Sequence, residues 1–131
     1  MPEFIDQDRA LLKGLNFAHF VTLNEDGSPH VAPVWIDVDD QGRALVNSAV
    51  GRRKDRNIRR DPRVGLSISP RDDPYRWTSV QGTVVAIETG DEAEGHIDEL
   101  SQRYDGSGFT YTPGQTRVIY RIRPDRITRS D

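Results

Sequence analysis

Cysteine is absent from the 131 residues. That excludes disulfides, thiolate nucleophiles, zinc–thiolate sites and iron–sulfur clusters, and it fits a reducing, cytoplasmic setting. Apolar side chains are scarce as well: 34% of residues are hydrophobic and 30% are charged. This is a thin supply for a lone domain, so part of the surface is expected to be buried against a partner. No apolar run reaches membrane-spanning length, and Met1–Leu15 carries acids at Glu3, Asp6 and Asp8. That segment reads as neither a signal peptide nor a membrane span. Excess positive charge is missing too. At a net charge of −3 no global field attracts nucleic acid or an anionic membrane, so any anion must be held by a local cluster. There is no G-x-G-x-x-G and no P-loop spacing, which removes the sequence case for a Rossmann or NTPase site. His19, His30 and His96 lie far apart without ligand spacing, so no metal site is expected. His30, at a turn, and His96, on a helix, are expected to face solvent. No Ser/His/Asp signature is present, and the catalytic residues stay unassigned.

The length favours one domain over residues 1–131. Asp6–Lys13 reads as a helix with Asp6 as N-cap and Gly14 as terminator. Asn16–Asn24 reads as a strand, Glu25–Ser28 as a turn with Gly27 free for positive φ, and Pro29–Val38 as the returning strand. On that strand Val34, Ile36 and Val38 share one face, and Pro33, Trp35 and Asp37 the other. Ala44–Asn47 is a third strand. Gly51–Arg60 is a helix stopped by Asp61-Pro62, because the residue before proline is pushed out of the helical region. Val64–Ser69 alternates as a half-buried strand. Tyr75–Glu88 is a long strand, with Gln81-Gly82 marking a bulge or bend. Thr89–Glu92 has capping-box spacing. The helix it opens carries Ala93, Ile97, Leu100 and Tyr104 on one stripe, while Glu92, Glu94, Asp98 and Glu99 form a solvated face. Asp105–Gly114 is a Gly-rich loop, Arg117–Arg123 a strand and Asp125–Thr128 a final short strand. About six strands joined by tight turns, with three short helices, give an α+β fold dominated by an antiparallel, closed or nearly closed barrel.

The most unusual stretch is Gly51–Arg63. It crowds Arg52, Arg53, Lys54, Arg56, Arg59, Arg60 and Arg63 into one short helix and its exit. Arg52, Arg53 and Lys54 sit at the start, where the helix dipole already places positive charge and each cation costs a few tenths of a kcal/mol. A bound anion would offset that cost, and free N–H groups flanked by Arg and Lys form a phosphate site. The alternative is a solvated basic face partnered internally by Asp55 and Asp61. Trp35 and Trp77 are candidates for stacking on a flat ligand; ordinary packing is the competing reading for each.

Three segments together resemble one family. Thr22-Leu23-Asn24-Glu25-Asp26-Gly27-Ser28-Pro29-His30-Val31-Ala32-Pro33-Val34-Trp35 resembles the first hairpin of the pyridoxamine 5′-phosphate oxidase-like split barrels. Arg52 to Val64 resembles their R-x-K-x-x-N segment, through Arg52, Lys54 and Asn57. Trp77-Thr78-Ser79-Val80-Gln81-Gly82-Thr83-Val84 resembles a later strand. Order and spacing match over roughly Leu12 to Ile127. Within the family the chain is similar to the deazaflavin-dependent branch, which includes biliverdin reductases.

The resemblance implies a split β-barrel and a homodimer with cofactor sites at the subunit interface. It implies that Arg52, Lys54 and Asn57 hold the cofactor phosphate, that Pro33, Val34 and Trp35 run beside the ring system, and that Trp77 approaches from the other subunit. The implied cofactor is coenzyme F420, a deazaflavin, with FMN as the alternative. Seven cations in one segment suit the longer, phosphodiester-bearing anion better than a single terminal phosphate. The pyridoxamine oxidases proper carry a C-terminal extension whose Arg-containing motif binds the substrate phosphate. The sequence here runs to Asp131, so that reaction is not the one expected. The expected reaction is hydride transfer from the reduced deazaflavin to a conjugated small-molecule acceptor. Such chemistry needs binding and orientation more than an acid–base dyad, in keeping with the lack of an obvious catalytic constellation. The competing readings are an FMN-binding oxidoreductase, a non-catalytic cofactor carrier, and a nucleic-acid module built on the basic helix.

Overall fold

The computed structural model describes residues 2–130. Its elements are α1 (Asp6–Lys13), β1 (Ala18–Leu23), β2 (Pro29–Val34), β3 (Asp37–Val38), β4 (Ala44–Ala49), α2 (Arg53–Arg60), β5 (Arg63–Ile68), β6 (Thr78–Glu88), α3 (Asp91–Asp105) and β7 (Arg117–Arg129). The strands form one seven-stranded sheet in the order β2-β1-β5-β6-β7-β4-β3, antiparallel throughout.

This order forces curvature. β2 and β3 lie at opposite edges of the sheet, yet only Trp35 and Ile36 separate them in the chain. Flat strands about 4.8 Å apart would leave those edges about 29 Å from each other. The backbone from Val34 to Asp37 reaches at most about 11 Å. The sheet therefore curls into the expected split barrel, and its concave face carries the core. Phe20, Val46, Leu66, Val80, Val118 and Ile122 meet there, all buried. Leu11 and Leu12 of α1 and Ile58 of α2 join the same cluster.

The strand boundaries depart from expectation at two places. The expected Pro29–Val38 strand breaks at Trp35-Ile36, where side chains of α3 take over the backbone hydrogen bonds. The two expected C-terminal strands are one: Pro124 pairs with Gly82 beside a register shift, the kind of irregular position at which a strand tolerates proline. At Gly82 a Cβ would sit 2.6 Å from Ile122 Cγ2 and 2.7 Å from the Arg123 carbonyl, so glycine there permits close strand approach.

Two caps differ from expectation. Ile5, not Asp6, is the N-cap of α1, and its N–H donates to the Asp8 carboxylate at 2.9 Å. Asp8 is fixed there because Thr78 and Arg129 also donate to it, tying α1 to β6 and β7. The helix α3 starts at Gly90, whose φ of +87° suits glycine, and Glu92 is drawn away to Arg121.

Candidate functional site

The chain leaves β4 through Gly51, at φ +92°, and turns directly into α2. The N-cap is Arg52, with no side chain capping the first turn. Asp55 braces the turn from behind. Its carboxylate accepts from the Gly51 N–H at 2.9 Å, from the Tyr120 hydroxyl at 2.5 Å and from Arg59 Nε at 3.0 Å. Burial works against the ionised form, but these bonds outweigh it and hold the carboxyl below the usual carboxylate range. The helix start is thus rigid, uncapped and cationic.

It faces a cleft of about 480 Å³. Its lining includes the largely apolar run Phe17, Pro33, Val34 and Trp35 and a group of three cations, Arg52, Lys54 and Arg117. The segment between α3 and β7 adds Phe109, Thr110, Thr112 and Gln115. Trp35 is fixed by stacking on Tyr104, with centroids 5.1 Å apart and planes 8° from parallel. The Tyr104 hydroxyl donates to the Asn16 carbonyl at 2.6 Å and accepts from the Ile36 N–H at 3.2 Å.

Among the described residues no Asp or Glu lines this cleft, and Arg52, Lys54 and Arg117 take part in no ion pair. Burial, then the charges of Arg52 and Arg117, lower the Lys54 pKa. Burial, then Arg52, bring that of Arg117 down to about 10. Mutual repulsion among desolvated cations is what an anion would relieve. A second cleft of similar size, about 490 Å³ and mostly apolar, lies on the convex side at Val21, Gly65 and Gln81. It lacks both the aromatic wall and the cation cluster.

The cleft therefore gathers Pro33, Val34, Trp35, Arg52 and Lys54. It does not include Asn57 or Trp77. Asn57 is buried, and its Nδ2 donates to Thr22 Oγ1 and Asn24 Oδ1, both at 3.0 Å. Within this one chain it anchors α2 to the β1–β2 hairpin. Trp77 is 36% exposed at the entry to β6, its backbone N–H bonded to Ser130. The seven cations also divide. Arg59 and Arg63 pair with Asp55 and Asp61, and Arg60 donates to the Leu23 carbonyl. Only Arg52 and Lys54 of that segment reach the cleft. The segment therefore offers a ligand in this cleft two cations, not seven.

Sequence reasoning missed Arg117, Asn47 and the buried pair Asp37–His96. His96 does not face solvent: it is 8% exposed and lies 3.0 Å from Asp37. The signal was its place on the Ala93–Leu100 stripe of α3, one turn from Ala93. Arg117 had no such signal, because its partner Asn47 lies 70 residues away.

The donor set, a cation group and a stacked indole lining one cleft, fits a planar ligand carrying a phosphate. Comparison with known proteins agrees in fold. An F420 reductase of known structure is 31% identical, with 98% of each chain covered and a TM-score of 0.80. The conserved hypothetical protein Rv2991 of Mycobacterium tuberculosis is 24% identical over 100% of this chain and 90% of that one, at a TM-score of 0.77. HupZ of Group A Streptococcus shares the fold at 17% identity, with 96% and 94% covered and a TM-score of 0.69. The family profile described as pyridoxamine 5′-phosphate oxidase matches residues 4–131. Nearly the whole chain is matched, and it belongs to the pyridoxamine 5′-phosphate oxidase family.

Proposed function

We propose that this protein is an oxidoreductase that uses coenzyme F420 to reduce a conjugated small molecule. The observation that carries this reading is the cleft that Arg52, Lys54 and Arg117 line together with Trp35, which is itself stacked on Tyr104, with no carboxylate among its described lining residues. When bound, the reduced deazaflavin supplies a hydride. The chain's own residues bind and orient. Arg52 and Lys54, beside the uncapped N–H groups of α2, hold a phosphate. Pro33, Val34 and Trp35 lie along the ring system and keep water from one face. Likeness to an F420 reductase supports the deazaflavin. FMN is the second reading, favoured by one observation: three cations line the cleft, rather than seven. We also propose a homodimer, in which the exposed Trp77 completes the cleft of a second copy.

Parallel titration with the deazaflavin and FMN tests the cofactor. Each charge-assisted hydrogen bond to phosphate is worth roughly 1.5–3 kcal/mol. Lys54→Ala and Arg52→Ala should therefore each weaken binding about tenfold or more. Arg63→Ala, paired with Asp61 outside the cleft, should change it little. Unchanged affinity in both cleft variants would remove the phosphate assignment. Reduced deazaflavin should be consumed when mixed with a suitable tetrapyrrole, quinone or enone. No consumption across such a panel favours a carrier without turnover.

A further inference from the structure

Arg117 opens β7 with its side chain in the wall of the cleft and only 6% of its surface exposed. Its Nε donates to Asn47 Oδ1 at 3.1 Å and its Nη1 to Gln115 Oε1 at 3.0 Å. Both acceptors are neutral. A guanidinium has five N–H donors, and Nη2 finds no protein acceptor among the described residues. Buried charges are ordinarily paired; this one has no carboxylate partner among the described residues, only the Phe109 ring 5.0 Å from its guanidinium carbon, and lies next to Arg52 and Lys54.

Its orientation is set from behind. Asn47 Nδ2 donates to the Ala93 carbonyl at 2.9 Å and lies 3.2 Å from His96 Nδ1. The amide oxygen must then be the atom turned to Arg117. His96 Nε2 lies 3.0 Å from Asp37 Oδ2, and that carboxylate also takes Lys13 and Arg103. A carboxylate only accepts, so the proton of His96 sits on Nε2 and Nδ1 accepts from Asn47. Each link leaves one choice for the next, from β3 through α3 and β4 to β7.

We propose that Arg117 is a third phosphate ligand of the cleft, presenting its unpaired Nη2 to the anion, and that Asn47, His96 and Asp37 are positioning residues for it. This rests on the cofactor reading above. It goes beyond that reading by assigning phosphate recognition to a residue outside the basic helix.

The test uses matched ligands: FMN against riboflavin, and coenzyme F420 against the same deazaflavin lacking its phosphodiester and acidic tail. Arg117→Gln should raise the Kd of the phosphorylated member about tenfold or more and leave the other within about twofold. Arg117→Lys, which keeps the charge but loses the fork, should fall between. Gln115→Glu supplies a counter-ion at a half-buried loop position with almost no change of shape. It should raise the Tm of the ligand-free protein and weaken the phosphorylated ligand. It decides the matter alone if Arg117→Gln does not fold. Asn47→Ala should lower the ratio of phosphorylated to unphosphorylated affinity. The Asn47→Ala/Arg117→Gln double variant should lower it no further than Arg117→Gln, because the two act as one unit. Additive losses would overturn the positioning role. Equal weakening of both members of a pair by Arg117→Gln, or a Gln115→Glu variant unchanged in both readouts, would overturn the ligand role. A wild-type protein that binds neither phosphorylated ligand would instead bring down the cofactor reading, and this inference with it.

Discussion

Asp37→Asn exchanges one oxygen for an amide and keeps the shape, yet it should be among the costlier single substitutions in the chain. Asp37 is 4% exposed. It accepts from Lys13 Nζ at 2.8 Å, Arg103 Nη2 at 2.9 Å, His96 Nε2 at 3.0 Å and its neighbour's N–H, Val38, at 2.9 Å. Lys13, whose side chain is 55% exposed, can swing into water when the charge is removed. Arg103 and His96, at 23% and 8%, cannot rehydrate without local opening. Breaking one side of a buried ion pair costs about 3–5 kcal/mol, and the escape of Lys13 places this case near the lower end. The surface pair Asp61–Arg63 sets the contrast: its Asp61→Asn variant should stay within about 1 kcal/mol of wild type. The pH dependence gives an independent check. Burial pushes the Asp37 carboxyl up, but bonds from His96, Lys13, Val38 and Arg103 outweigh it and hold the carboxyl well below its ordinary 3.8. A depressed carboxyl contributes stability that is complete above the unfolded pKa and lost as pH falls toward the folded one. The gap between wild type and Asp37→Asn should therefore be full at neutral pH and narrow below about pH 4. Urea unfolding at pH 7, 5 and 3, at one protein concentration, reads both. An unchanged midpoint at pH 7, or a gap that stays constant down to pH 3, would refute the reasoning.

Two further outcomes follow from the fold. Gly82→Ala forces a methyl against Ile122 and the Arg123 carbonyl. It should destabilise by about 1–3 kcal/mol in thermal or urea unfolding, whereas Gly95→Ala, where a Cβ meets nothing within 4 Å, should not. Light scattering at micromolar concentration should return about twice the 14.8 kDa chain mass; a clean monomer would remove the proposed two-chain site.

Much of the architecture was legible because its causes are local. The helix α1 ends at Gly14 as expected and covers the expected residues, although its N-cap is Ile5 and not Asp6. The β6 bulge follows from Gly82, and α2 stops before Pro62. The break at Trp35-Ile36 was not legible, because alternation through Val34, Ile36 and Val38 mimics a continuous strand. What interrupts it is Tyr104, 68 residues further on. His96 was misplaced for the same reason: its acid partner lies 59 residues away. At the site, the helix start announced itself through misplaced charge at Arg52 and Lys54. Arg117 is an ordinary strand-opening arginine until β4 and β7 are paired.

The break between β2 and β3 has a dynamic consequence. Along every other border the sheet opens only by parting a hydrogen-bonded ladder, a cooperative event. At Ile36 the backbone is held by side chains alone, the Tyr104 hydroxyl on its N–H and the Arg103 guanidinium on its carbonyl at 3.1 Å. Opening there parts a few isolated bonds, so amide exchange at Ile36 should be governed by local fluctuation, while exchange in the centre of β5 and β6 should track global unfolding. Trp35 stands at that hinge. The wall of the cleft is thus built where the barrel is closed by side chains rather than by a strand ladder.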